Sequence, residues 1–334
     1  MRVLAAVDKF RGTATAQEVA RAIANACWTT GHECVELPLA DGGEGTLAAL
    51  GGANQTLRVE GPLGTAVDVP WRLHRGTAVI EMALASGLQL VGGAEHNDPI
   101  AASTVGTGQV IDAALNLGAE RIIVCLGGSA TTDGGLGAVN AISTPARMKR
   151  VEVVVACDVE TSFVDAAEVF APQKGASAAQ VKFLRNRLLS TAELYERRFG
   201  VDVTKIPGGG AAGGLAGGLF ALGASLVPGF DVVAEELHFH EALGSCDVVI
   251  TGEGRLDSTS FDGKVVGAVA AYAKRSKKPV VAICGDVDSS AKTFSAEHQL
   301  QAVSLLQWFG DAAFSATMQS IERAAEHWLT NRDS

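Results

Sequence analysis

No stretch of this 334-residue sequence reads GxxxxGK followed by Ser or Thr, and no GxGxxG opens a helix after the first apolar run. These absences exclude a P-loop and the ordinary dinucleotide fingerprint, so any phosphate must be held another way. The Lys and Arg residues are scattered instead of gathered in one face-forming run, and acidic residues outnumber basic ones 37 to 27. Nucleic-acid binding through phosphate neutralisation therefore has no footprint, and a small molecule is the expected partner. No CxxC pair occurs among the six cysteines (27, 34, 125, 157, 246 and 284). Four of them fall at or beside apolar runs, where a reduced thiol acts as a small hydrophobe, and a reducing cytoplasm is expected. The apolar stretch before Asp8 is too short for a signal peptide and reads as a first strand. There is no fixed-period repeat and no low-complexity linker.

One segment, Ile206–Phe230, carries no charge and has the length of a membrane span. Nine of its residues are Gly, and no Trp or Tyr anchors flank it. The expectation is a glycine loop followed by a buried, closely packed helix, with no membrane partner.

What is present is a 47% hydrophobic chain, long enough for two domains. Short apolar runs alternate with helical patterns: Arg2–Val7, Glu33–Leu39, Ala78–Met82, Arg121–Leu126, Val151–Ala156, Asp247–Thr251 and Pro279–Cys284 read as strands. The fold class is α/β with a mostly parallel sheet. Thr15 and Glu18 match a capping box opening a helix that ends near Gly31, and Ser103 or Thr104 can cap another running to Gly118. Leu57–Glu60 and Ala66–Leu73 read as a hairpin across GPLG, and a domain crossing is placed there.

Polar loops follow five of these strands: DKFRG, ADGGEGT, LGGSATTDGGLG, CDVETS and TGEGRLD. In open parallel sheets that edge binds ligands, because loop amides and helix N-termini open toward it. LGGSATTDGG offers glycine amides with the hydroxyls of Ser129, Thr131 and Thr132, a composition suited to an anion nest. Asp133 beside such a nest, and Asp41 with Glu44 in LADGGEGT, would repel phosphate unless a cation intervenes. Phosphoryl transfer reconciles them, since Mg²⁺ binds one or two carboxylates together with substrate phosphates. A hydroxyl nucleophile also needs a carboxylate to take its proton, and the transferred group needs Lys or Arg. Asp8, Lys9, Arg11, Asp41, Glu44, Asp133, Asp158, Glu253 and Arg255 supply these types. The bland alternative for LADGGEGT is an acidic helix start, with Asp41 as cap and Glu44 in the first turn. Lys174 could meet a phosphate or cap a loop, His238 and His240 read as solvated helix histidines, and Glu81 reads as buried by pairing.

DKFRGTATA, PLADGGEGT, EMALASGLQL, GTGQVI, LGGSATTDGG, ACDV, FAPQKGAS, GGGAAGGL and ITGEGRLD follow one another from about residue 3 to 285. In that order they resemble the bacterial glycerate 2-kinases, the type I glycerate kinase family, which transfer the ATP γ-phosphate to the 2-hydroxyl of D-glycerate. The resemblance implies a Rossmann-like parallel-sheet domain built from both chain ends (1–58 and 245–334), an inserted α/β domain (59–244), and an active site in the cleft. It also implies ATP and Mg²⁺, with D-glycerate as substrate; the assembly state, homodimer included, stays open. Catalytic candidates are Asp41, Arg11, Asp133 and Lys9, and substrate-binding candidates are Asp8, Arg11, Glu44, Glu253 and Arg255. Nucleotide candidates are Gly127, Gly128, Ser129, Thr131, Thr132, Lys174, Gly213 and Gly214, and metal candidates are Asp41, Asp133 and Asp158. One sequence does not separate these roles.

The chain also departs from that family. Arg11 stands where Lys is usual, which keeps charge but changes geometry. A longer connection between Ala141 and Val151 is missing, and ETSFVDAAEV replaces the usual loop after Asp158. A retuned or non-catalytic relative is thus the alternative to a glycerate kinase, and a nicotinamide-dependent reductase is disfavoured by the absent fingerprint.

Overall fold

The computed structural model describes residues 1–331. The chain forms two compact units, Met1–Asp41 with Phe230 onward, and Gly42–Gly229.

In the first unit five strands form one sheet, in the order Leu300–Ser304, Val280–Cys284, Val248–Thr251, Arg2–Val7 and Glu33–Pro38. Every pairing is parallel. Val248–Thr251 and Val280–Cys284 are buried at every residue, as strands covered on both faces must be. Helix Ala16–Thr29 starts where the sequence places it: the Thr15 hydroxyl accepts from the Glu18 amide, and the Glu18 carboxylate accepts from the Thr15 amide. That reciprocal pair satisfies two of the amides a helix start leaves open. Val19, Ile23 and Cys27 of this helix share a core with the sheet and with Ile321, Ala324 and Trp328 of helix Thr317–Asn331.

The second unit holds six strands, ordered Gln55–Glu60, Ala66–His74, Thr77–Glu81, Arg121–Cys125, Glu152–Ala156 and Ser225–Val227. The first three form an antiparallel meander, and the last four run parallel. Helix Ala178–Phe199 opens on a Ser177–Gln180 capping box and ends at Gly200 in the left-handed conformation. Its Tyr195 hydroxyl donates to the Gly134 carbonyl at 2.8 Å, and the Tyr195 ring meets Phe163 edge-on.

The unit boundaries differ from the expected ones at 58/59 and 244/245. Strand Gln55–Glu60 is already the edge of the second sheet, paired with Ala66–His74, so the chain has left the first unit by Gly42. At the other crossing Phe230 and Phe239 pack on Tyr272, which commits that segment to the first unit well before residue 245. Strands Ser225–Val227 and Leu300–Ser304 were not anticipated, because one has three residues and Gln301 interrupts the apolar run of the other.

Within Ile206–Phe230 a turn leads into helix Ala211–Ala221, whose first residues are broken by left-handed Ala212, Gly213 and Gly214. Among the described residues no helix is long and apolar enough to cross a membrane. A Cβ on Gly213 would overlap the Thr131 carbonyl, and one on Gly214 would sit 2.7 Å from the Gly134 Cα. Glycine here lets one backbone lie directly on another. Gly213→Ala combines that overlap with a φ of 69°, so it should destabilise the chain by roughly 2 kcal/mol or more. Thermal melts of the variant and parent check this.

Candidate active site

LGGSATTDGG leaves strand Arg121–Cys125 and is held from all sides. Asp133 is buried, and its carboxylate accepts four hydrogen bonds: from the Thr104 amide at 2.9 Å, the Thr104 hydroxyl at 2.8 Å, the Gly135 amide at 3.0 Å and the Gly137 amide at 3.2 Å. It thus closes the starts of helices Val105–Asn116 and Leu136–Ala141. The Arg187 guanidinium donates to the carbonyls of Ile100 and Thr132, both at 2.6 Å. The Asn97 amide donates to the carbonyls of Ala130 and Lys174.

At the front of the loop the Lys174 ammonium, only 3% exposed, lies 2.7 Å from both the Ser129 hydroxyl and the Thr131 carbonyl. Burial pulls its pKa down to about 7, with the Asp133 charge opposing. Lys174 lines a pocket of about 420 Å³ together with Gly127, Gly128, Ser129 and Asp158, while Leu88, Leu126 and Phe170 supply apolar wall. The size and mixture suit a small-molecule site. Thr131 and Thr132, by contrast, are fully buried, and their hydroxyl oxygens have no hydrogen-bond partner. They do not line the pocket, and neither do Gly213 and Gly214, which press on the backbone behind it.

LADGGEGT crosses from one unit to the other. Gly42 takes φ 82°, and a Cβ there would lie 2.5 Å from the Gly229 Cα. The short helix Thr46–Ala49 has Gly45 as its N-cap, and the Glu81 carboxylate accepts from the amides of Gly45 at 3.0 Å and Leu47 at 2.7 Å. Glu81 therefore does what the bland reading assigned to Asp41, and neither Asp41 nor Glu44 is the helix cap.

In the first unit the loops after three adjacent parallel strands carry Asp8, Glu253 and Asp41. The Asp8 amide donates to the Gly252 carbonyl at 3.0 Å, which ties two of these loops together. Burial and the nearby Asp41 carboxylate push the Asp8 pKa up to about 6, against the Lys9 amide and the charges of Lys9 and Arg11. Burial pushes Glu253 up to about 7. Arg11 is exposed. Arg255 pairs with Asp288 at 2.9 Å on the surface, so its guanidinium is engaged within the protein.

The sequence profile of the glycerate kinase family matches residues 3–146 and 143–331. The chain belongs to the glycerate kinase family. It is 39% identical to the glycerate 2-kinase of Escherichia coli (strain K12), over 98% of this chain and 97% of that one. It is 40% identical to a glycerate kinase of Halalkalibacterium halodurans, over 85% of each chain. The crystal structure of the chain assigned as glycerate kinase 2 in Salmonella typhimurium LT2 superposes with a TM-score of 0.85 at 34% identity, covering 100% of this chain and 98% of that one.

Within this family member, sequence reasoning missed the roles of Glu81, Asn97, Thr104 and Arg187. Glu81 carried a signal, an acid closing an apolar strand, but its partners are amides of a distant loop. Asp133 was expected to serve catalysis or a metal; both its oxygens are instead occupied by loop amides and Thr104. Among the described residues no group of three His, Cys, Asp or Glu side chains is arranged to hold a metal ion. His238 and His240 are both exposed.

Asp133→Asn places an NH₂ where amides now donate. Each buried amide left unpaired costs about 1–3 kcal/mol, so the melting temperature should fall clearly. A variant that melts like the parent yet loses all turnover would instead return Asp133 to the chemistry.

Proposed function

We propose that the chain transfers the γ-phosphate of ATP to the 2-hydroxyl of D-glycerate, giving 2-phosphoglycerate and ADP. The observation that carries this reading, beside family membership, is the Lys174 ammonium buried at the rim of the Gly127–Ser129 loop in a pocket of about 420 Å³. Glycine amides that can approach a phosphate closely, a hydroxyl and a desolvated ammonium are the groups that bind and neutralise phosphates when no P-loop is present. The choice of the 2-hydroxyl rests on the Escherichia coli relative, which is a glycerate 2-kinase.

Phosphoryl transfer is mostly positioning and charge stabilisation. The loop amides and Ser129 orient the phosphates, and Lys174 meets their charge. An anion beside Lys174 favours the protonated ammonium, so nucleotide binding offsets the burial that otherwise depresses its pKa. Arg187 and Asn97 hold the loop from behind, which keeps these donors in place before the ligand arrives.

Mg²⁺ fits this pocket. The ion takes one or two carboxylates and completes its shell with phosphate oxygens and water, so no all-protein cage is needed. Asp158, exposed and lining the pocket beside Ser129 and Lys174, is the residue that would hold it, with one of its oxygens, Oδ1, also accepting from the Gly229 amide at 2.7 Å. Asp133 does not suit the task, because its oxygens are occupied. When bound, the ion would neutralise charge on the phosphates. In the first unit Asp8, Asp41, Lys9 and Arg11 supply carboxylates and cations for the hydroxy acid. The cytoplasm is the proposed location, since no disulfide links the six cysteines.

The purified chain should consume ATP with D-glycerate, lose turnover in excess chelator and regain it with Mg²⁺. Phosphorus NMR should show 2-phosphoglycerate; a 3-phosphoglycerate product would overturn the regiochemistry, and full turnover in chelator the metal. Lys174→Met keeps the volume and removes the charge. It should raise KM for ATP by roughly tenfold or more, the worth of a charge-assisted bond, while KM for glycerate moves less than about threefold.

A further inference from the structure

The pocket of the second unit holds two side chains arranged for chemistry of their own. Lys174 Nζ lies 2.7 Å from Ser129 Oγ and 2.7 Å from the Thr131 carbonyl oxygen. A hydroxyl within hydrogen-bond reach of an amine, with a third group orienting that amine, is the arrangement of a nucleophile and its base. The Thr131 carbonyl is the orienting group here. Both side chains belong to residues that line the pocket of about 420 Å³, so a ligand entering it meets the hydroxyl and the amine together.

The backbone holds the pair in register. The Asn97 side-chain amide donates to the carbonyls of Lys174 and Ala130, which ties the base to the residue after the nucleophile. On the other side Ser129 bridges to Gly87, and the Ala130 amide donates to the Ser86 carbonyl at 3.0 Å. Both acceptors that meet the buried ammonium are neutral oxygens, whereas the Asp133 carboxylate is taken up by its own four donors. Burial without a paired anion favours the unprotonated amine, the form that can take a proton, although the Asp133 charge opposes it. Leu126 and Phe170 give the pocket apolar wall for an uncharged group. The glycine loop beside Ser129, with Gly128 left-handed at φ 62°, supplies backbone amides of the kind that stabilise a carbonyl oxyanion.

We propose that Ser129 and Lys174 form a nucleophile and base pair that, in the nucleotide-free pocket, takes the acyl group of a small uncharged ester and hydrolyses it. Ser129 Oγ bonds to the ester carbonyl carbon as its proton passes to Lys174 Nζ. The bond from that carbon to the alcohol oxygen breaks, and the departing alcohol takes the proton from Nζ. Water then adds to the acyl-serine, giving a proton to Nζ, and Oγ leaves with that proton. The sum is ester and water to acid and alcohol, with no other reactant. This activity is separate from phosphotransfer and uses no glycerate chemistry. One consequence does rest on the nucleotide reading above: a phosphate beside Lys174 fills the pocket and keeps the amine protonated, so bound ATP silences the pair.

The probe is p-nitrophenyl acetate, added to the full chain without nucleotide. Release of p-nitrophenolate is followed in time, and acid-quenched samples are mapped by peptide mass spectrometry. The parent should show a burst of release and an acetyl group on Ser129. Ser129→Ala should lose both the burst and that acetyl. Lys174→Met should slow acetylation of Ser129 by roughly a hundredfold or more, the usual contribution of a general base, with its melting temperature measured alongside. The proposal is overturned if the parent carries no acetyl, carries it on Lys174 or elsewhere but not on Ser129, or if Lys174→Met acetylates Ser129 within about threefold of the parent rate. Mapping on the parent decides the case even where Lys174→Met fails to fold. ATP at ten times its Kd should slow the reaction about tenfold, as competition for one pocket requires. Acetylation of Ser129 at full rate with ATP bound would support the pair and overturn the placing of nucleotide phosphate beside it, so the two readings fail separately.

Discussion

The buried carboxylate of Asp133 is the interaction on which the second unit depends. A carboxylate taken out of water is costly unless its lone pairs are filled, and here four donors fill them. Three of those donors are backbone amides at the starts of two helices, groups that would otherwise be buried and unpaired. One side chain therefore satisfies both helix starts and fixes the loop between them. Its charge also reaches the buried Lys174 and the half-buried Arg187 around the same loop, and favours their protonated forms.

The glycines serve this arrangement by proximity. Gly213 and Gly214 lay the backbone of one segment against Thr131, Thr132 and Gly134 of another, and Gly217 leaves room for the Phe163 ring. Close backbone packing of this kind tolerates no extra methyl, because neither partner is the flexible end of a side chain. The same compression buries the hydroxyls of Thr131 and Thr132, which is why residues that look like phosphate ligands do not line the pocket. Ser129, two positions earlier, escapes it and meets Lys174.

In the first unit the logic runs the other way. Burial raises the proton affinity of Asp8 and Glu253 at two strand ends, and the neighbouring Asp41 charge adds to it at Asp8. Glu253 keeps an unpartnered oxygen where Asp133 has none. Carboxyl groups in glycine-containing loops thus divide into Asp133, whose oxygens are filled by four donors, and Asp8 and Glu253, whose proton affinity burial raises.

Much was legible in the sequence because it rests on local physics. The strand Arg2–Val7, the helix after Thr15, the hairpin around GPLG and the glycine-laden helix near residue 215 follow from apolar periodicity, capping chemistry and the conformational freedom of glycine. The nine ordered motifs placed the chain in its family for the same reason: they are contiguous. Roles were not legible. Asp8, Asp41, Asp133 and Glu253 each sit in a polar loop after a strand, and nothing local tells a saturated carboxylate from a desolvated one. That difference is set by donors such as Thr104, 29 residues from Asp133 along the chain, and Glu81, which reaches back 34 residues to the amide of Leu47. Burial and hydrogen-bond supply are properties of packed neighbours, so only the tertiary structure decided which acid is saturated by donors and which is desolvated with its proton affinity raised.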